Sequence, residues 1–278
     1  MSSKAMSLKD RIRNHAKKNH IAAQVVLQNF LFERFLVRLS KSKYKDKFII
    51  KGGMLISAIV GLDTRSTMDL DTTLKDLPLT EEIIRAAIDA ISNVTLDDEV
   101  EFHIVSIELI RKDDQYGGYR VKLNAVYDTI NTPLSIDVST GDVITPGAIQ
   151  YEFSGLFNEN EHITLLGYNI ETVLAEKVET ILSRGVFNTR PRDYYDIYIL
   201  ATTQNYSQEI FDMALSATAT HRGSTKIISD RTAIVSRIAG SEVLQEMWMK
   251  YQNRFSYAKE IPFTVIIEAL KNLLGLLS

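Results

Sequence analysis

The chain contains no cysteine. That excludes disulfides, thiolate zinc sites and cysteine nucleophiles, and it fits a reducing compartment. Five prolines and 13 glycines in 278 residues leave no collagen-like or proline-rich linker segment. No apolar run reaches the length of a membrane span. The leading stretch MSSKAMSLKDRIRNHAKK lacks the apolar core of a secretory signal, so a cytoplasmic location is expected. The five histidines, His15, His20, His103, His162 and His221, are scattered, with none at metal-ligand spacing. What is present is 45% apolar and 24% charged residues, the balance of a soluble globular protein of one large or two modest domains. Such a length buries a sizeable core without covalent staples.

The formal net charge of −3 hides an uneven distribution. Residues 1–51 hold 13 Lys and Arg against Asp10, Glu33 and Asp46, a balance of +10, and the rest of the chain balances at −13. A leading segment of this sign attracts polyanions through phosphate contacts and counterion release. The plainer alternative is a solvated set of helices whose lysines aid solubility.

Ser7 followed by Asp10 predicts a helix start of the capping-box type. A second apolar-periodic stretch runs from Ile21 to Leu39, and Thr80 caps a helix over residues 80–91. The middle of the chain changes period. Val100, Phe102 and Ile104 alternate with polar residues, as do Val121, Leu123 and Ala125, and again Leu134, Ile136 and Val138. These are strands with one buried and one polar face. The stretch 113–118 between two of them is a predicted hairpin turn. Helical patterns follow at 170–184, 191–203, 207–219, 225–239, 241–253 and 262–277. Trp248 and the last, apolar helix belong to the expected helical core. The predicted fold is α+β: an N-terminal domain over 1–167 with a mixed sheet, then a helical C-terminal domain over 168–278.

Asp69-Leu70-Asp71 is the most informative local pattern. On a strand, residues 69 and 71 share a face while Leu70 turns to the core. Two carboxylates about 7 Å apart on one face repel unless a cation lies between them. Asp137 sits on the polar face of Leu134–Ser139, so a neighbouring strand can bring a third carboxylate to the same cluster. All-oxygen ligands of this kind suit magnesium and phosphoryl or nucleotidyl transfer. The alternative is a set of ordinary solvent-facing aspartates, weakened because Asp is disfavoured in strand interiors. Lys51-Gly52-Gly53 precedes the pair by one helix-sized segment. Two glycines at a helix start let backbone N–H groups approach a phosphate.

The order Gly-Gly, short helix, then a strand carrying Asp-x-Asp resembles the nucleotidyltransferase superfamily related to DNA polymerase β. The stretches Glu33–Ser40 and Tyr44–Gly53, then Arg65–Asp71, Leu174–Thr180 and Thr189–Asp196, are together similar to the AbiEii/AbiGii toxin family. The resemblance implies a polymerase β-like nucleotidyltransferase domain and an enzyme that moves a nucleoside monophosphate from an NTP to an acceptor with Mg2+ or Mn2+. It implies metal ligation by Asp69, Asp71 and Asp137. It further implies a triphosphate cradle of Lys51, Gly52, Gly53, Arg65, Thr67 and Lys177. Asp193 becomes an active-site acid or the orienter of Lys177, with Asp196 the alternative bearer of that role. A toxin of a toxin–antitoxin and phage abortive-infection system follows, with a cognate antitoxin encoded alongside, GTP as the expected nucleotide, tRNA as the expected acceptor and no membrane partner.

Lys177 has its own physical reading. In a helix from Ile170 to Arg184 it falls inside the apolar arc of Ile170, Val173, Leu174, Val178, Ile181 and Leu182. A lysine there must snorkel, pair with an acid or meet a ligand. Pro191 and Asp193 also suit ordinary helix-start chemistry. Two competing functions stay open. Small-molecule nucleotidylation is disfavoured by the basic leading segment. A non-catalytic nucleotide-binding scaffold for an antitoxin is disfavoured by the joint presence of Asp69, Asp71, Asp137 and Lys177.

Overall fold

A computed structural model describes residues 3–110, 117–158 and 160–276. The chain divides into two compact units, Met1–Asp142 with Ala148–Gly167, and Val143–Gly147 with Tyr168–Ser278.

The first unit opens with helices α1 (Ser3–Lys18) and α2 (Ala23–Lys41). The first of these begins four residues before the expected start at Ser7. The reason is an apolar stripe, Ala5, Leu8, Ile12 and Ala16, which is buried against Val26 and Ile130 and carries the helix past the Ser7 signal. On α2, Leu31, Phe32, Phe35, Leu36 and Leu39 are buried, each contributing about 1.5–3 kcal/mol of burial.

The unit's sheet is built from β1 (Phe48–Lys51), β2 (Leu70–Leu74), β3 (Val100–Ile110), β4 (Gly118–Tyr127), β5 (Ile130–Thr140), β6 (Ile149–Ser154) and β7 (His162–Gly167). Their spatial order is β3-β4-β5-β2-β1-β7-β6. The sheet is mixed: β2 runs parallel to β5 and β1 to β7, and the other neighbours are antiparallel. The predicted alternation of β4 holds, with Val121, Leu123 and Ala125 buried and Arg120 and Lys122 exposed. The expected turn at 113–118 lies largely outside the described residues, though the strands on either side pair in antiparallel register. Strand β6 escaped the sequence reading although Ile149, Tyr151 and Phe153 alternate with Gln150, Glu152 and Ser154; it is a short outer strand with no buried residue. Helix α3 (Gly52–Val60) follows β1, and α4 (Glu81–Ser92) begins at Thr80, whose hydroxyl accepts from the Ile83 N–H at 3.3 Å.

The second unit is helical: α5 (Ile170–Arg184), α6 (Pro191–Thr203), α7 (Gln208–His221), α8 (Thr225–Ser229), α9 (Arg231–Ala239), α10 (Glu242–Arg254) and α11 (Phe263–Leu273). The first two match the predicted spans. The expected helix over 225–239 is two helices, broken where the Asp230 N–H bonds to Ile227 O in a tight turn. The expected helix over 262–277 stops at Leu273, because Gly275 adopts φ +65° and the Leu276 N–H returns to Lys271 O at 2.8 Å. Trp248 is buried and donates its indole N–H to Ile261 O at 2.8 Å. Among the described residues no helix is long and apolar enough to cross a membrane.

Candidate active site

The site in the sheet unit starts where β1 becomes α3. Gly52 has φ +63°, and a Cβ there would lie 2.1 Å from Asp71 Oδ2. Only glycine allows both the left-handed backbone and the close carboxylate. A Cβ on Gly53 would lie 2.6 Å from Thr67 Oγ1 and 3.1 Å from Arg65 Nη1. The helix start, the loop before β2 and the Asp71 carboxylate are therefore in direct contact. Arg65 is buried and donates to Ser66 O at 2.6 Å, and Asn29 of α2 donates to Thr67 O at 2.8 Å. Both bonds fix the loop that leads into Asp69 and Asp71.

Strand register then lines up five charged residues across five strands. Lys51 is opposite Asp71, Asp71 opposite Asp137, Asp137 opposite Arg120, and Arg120 opposite Glu108. Neighbouring strands are about 4.8 Å apart, so Asp71 and Asp137 stand side by side on one face. Leu70 and Ile136, on the opposite face, are fully buried and hold that register. Asp69 immediately precedes β2. Arg120 forms a two-pronged pair with Asp137, Nε to Oδ1 at 2.8 Å and Nη2 to Oδ2 at 2.7 Å. These bonds and the Asp137 charge, together with the charges of Asp69 and Asp71, hold the Arg120 guanidinium above its ordinary pKa. Arg120 thus lies in the field of all three predicted carboxylates. On the other flank, Lys51 Nζ reaches Ser139 Oγ at 2.7 Å and Asp142 Oδ2 at 2.5 Å.

The donor chemistry here fits a hard divalent cation: carboxylate oxygens on adjacent strands, one of them packed against the glycine start of a helix. As they stand, no three acidic or imidazole groups among the described residues are arranged to hold a metal. Both oxygens of Asp137 are engaged by Arg120.

In the helical unit, Lys177 on α5 takes the second of its expected options and pairs with acids. Its Nζ lies 2.6 Å from Asp193 Oδ1 and 2.9 Å from Asp196 Oδ2, both on α6. The side chains are 20%, 8% and 0% exposed respectively. Asp193 Oδ2 is buried and has no partner among the described residues. The basic leading segment is less available than its balance of +10 suggests. Arg34 pairs with Glu33 and Glu161, Arg38 forks onto Asp98 at 2.7 Å, and Lys51 is held by Asp142. Lys17, Lys18, Lys41, Lys43 and Lys45 remain exposed.

Sequence reasoning missed Arg120, Asp142, Ser139 and Asn29. Arg120 carried a signal, its place on the polar face of β4, but its partner is set by register with β5, which periodicity does not give. The family model for the AbiEii nucleotidyl transferase toxin of type IV toxin–antitoxin systems matches residues 34–270. The chain belongs to the AbiEii family. A nucleotide triphosphate substrate and a cognate antitoxin are what that family implies for this AbiEii chain. A search of curated proteins gives no match. Among solved structures, JHP933 from Helicobacter pylori is similar in fold, with TM-score 0.51 and 14% identity over 92% of each chain. A second Helicobacter pylori protein, assigned as a nucleotidyltransferase, gives TM-score 0.49 and 17% identity over 93% of this chain and 100% of its own. An antigenic nucleotidyltransferase-like protein from Paracoccidioides brasiliensis gives 0.41 and 14% over 74% and 92%.

Proposed function

We propose that this AbiEii-family chain is a Mg2+-dependent transferase that moves a nucleoside monophosphate from an NTP, GTP by family expectation, onto tRNA. In this reading it acts as the toxin of a phage-defence pair. The observation that supports it most is the register of Asp71 against Asp137 beside the helix start at Gly52.

In this reading Asp69, Asp71 and Asp137 would hold the cation. A divalent cation held there would supply positive charge to the triphosphate oxygens. The chain's own residues do the rest. Backbone N–H groups at the start of α3 face the phosphates, and the helix dipole adds partial positive charge. Arg65 and Thr67 keep the loop before Asp69 fixed against Gly53. The acceptor hydroxyl oxygen forms a bond to the α-phosphorus, the bond from that phosphorus to the β-phosphate oxygen breaks, and pyrophosphate leaves. The hydroxyl proton passes to a carboxylate, for which Asp137 is placed by this reading. Exposed Lys17, Lys18, Lys41, Lys43 and Lys45 supply the electrostatic attraction for an RNA acceptor.

The test is label transfer from each α-labelled NTP to purified tRNA and, separately, to a small-molecule extract. Wild-type protein is expected to label tRNA, and Asp69→Ala to lower the rate about a thousandfold, the scale of several kcal/mol of metal-assisted stabilisation. Label appearing only in the small-molecule fraction replaces the acceptor. Growth arrest that survives Asp69→Ala and Asp137→Ala replaces the enzyme with a binding scaffold.

A further inference from the structure

Arg120 belongs to the charged row, yet no sequence motif singles it out. Its fork takes both oxygens of Asp137, the carboxylate that a third-ligand role requires. A divalent cation on Asp137 needs at least one of those oxygens, and it carries the same sign as the guanidinium. The two compete for one acid. Nothing else on the row relieves Arg120 of that task. Its other register neighbour, Glu108, is paired to Lys122 at 2.7 Å. The Lys51 ammonium on the far flank is held by Asp142 and Ser139. The Arg120 side chain is 46% exposed and that of Asp137 23%, so water can take over the guanidinium when it leaves.

We propose that Arg120 is a positioning residue that holds Asp137 while the carboxylate cluster carries no cation and yields it when a divalent cation binds, so that Arg120 sets the cluster's metal affinity. The proposal rests on the reading of Asp69, Asp71 and Asp137 as a cation site. On release the guanidinium is a fork-shaped donor beside that site, suited to phosphate oxygens of the triphosphate.

The experiment reads Mn2+ binding to the full chain by electron paramagnetic resonance, with no nucleotide and no turnover. Wild type, Arg120→Ala, Arg120→Lys and Asp69→Ala are compared. Arg120→Ala is expected to bind Mn2+ about fivefold more tightly than wild type, the upper worth of an exposed ion pair. Arg120→Lys keeps the charge without the fork and is expected between the two. Thermal midpoints without metal verify that each variant is folded. In a second titration Arg120→Ala is expected to bind NTP in Mn2+ more weakly than wild type, opposite in sign to the metal effect. A general loosening of the fold would weaken both. Mn2+ affinity equal to or below wild type in Arg120→Ala overturns the proposal, provided that wild type binds Mn2+ and Asp69→Ala does not. Absence of Mn2+ binding by wild type overturns the cation-site reading itself.

Discussion

On the sheet, the Arg120–Asp137 pair keeps its cation in water, with an exposed guanidinium (46%) on a half-buried carboxylate (23%). In the helical unit, Lys177 meets two acids that are 8% and 0% exposed. The two clusters use the same kinds of charge at nearly the same distances, yet their energetics differ. An exposed pair is worth about 0–1 kcal/mol, because water takes over either partner when it leaves. A buried pair has already lost its water, so removing one member strands the other, at a cost of about 3–5 kcal/mol. The sheet cluster can therefore exchange its counter-charge for a ligand. The helical cluster is bound into its unit's packing.

The largest expected effect follows from that contrast. Lys177→Ala leaves Asp193 and Asp196 buried without their cation and should destabilise the helical unit by about 3–5 kcal/mol. Arg120→Ala should cost no more than about 1 kcal/mol. The only tryptophan, Trp248, is buried in the helical unit, so its fluorescence during denaturation reads Lys177→Ala directly, and circular dichroism of the strands reads Arg120→Ala. Equal midpoints for the two variants would erase the distinction between exchangeable and locked charge.

A pair of glycines sharpens it further. Gly52 in the sheet unit and Gly185 in the helical unit both have positive φ, +63° and +52°. A Cβ on Gly185 meets nothing within 4 Å, whereas one on Gly52 would overlap the Asp71 carboxylate. Alanine at either position meets backbone strain of about 1–3 kcal/mol. Only Gly52→Ala also displaces Asp71, and it should lower transfer at least about 100-fold, the scale of an ångström-sized misplacement. Similar activities for Gly52→Ala and Gly185→Ala would show that the close approach to Asp71 does not matter.

These contrasts also mark what periodicity and motif spacing disclose. Helices α5 and α6 were legible because their apolar arcs and the Pro191 start are local. Asp69, Asp71 and Asp137 stood out because carboxylates are unusual in strands, and alternation alone put Asp137 on a polar face. Lys177 announced itself as a cation inside an apolar arc, and local pattern limited its options without choosing among them. The choice of Asp193 and Asp196 depends on how α6 packs on α5. Arg120 was invisible as a site residue because its partner lies 17 residues away across β4 and β5. The helix start at Ser3 was missed for a different reason: burial of Ala5 against Val26 outweighs a capping signal at Ser7.

The smallest expected effect concerns a third cluster, which asks whether charge count or burial sets the contrast. Glu33 and Glu161 share Arg34 in the sheet unit, two acids to one cation as around Lys177. Glu33 also accepts from the Leu156 N–H. Burial pushes the Glu33 carboxyl above its ordinary pKa despite the pull of Leu156 and Arg34. A folded-state pKa raised in an acid means that the native state binds more protons than the unfolded one in that window. Stability from Glu33 is therefore greatest below its unfolded value, near about 4.3, and falls as pH rises through the folded value. Glu33→Gln keeps an acceptor for Leu156 and has no charge to bury, so that fall should vanish. Thermal midpoints of wild type and Glu33→Gln should converge near about pH 4 and separate in the variant's favour toward neutrality. A variant less stable than wild type at neutral pH would mean that pairing with Arg34 outweighs burial, and that two acids sharing one cation resist substitution wherever they occur in this fold.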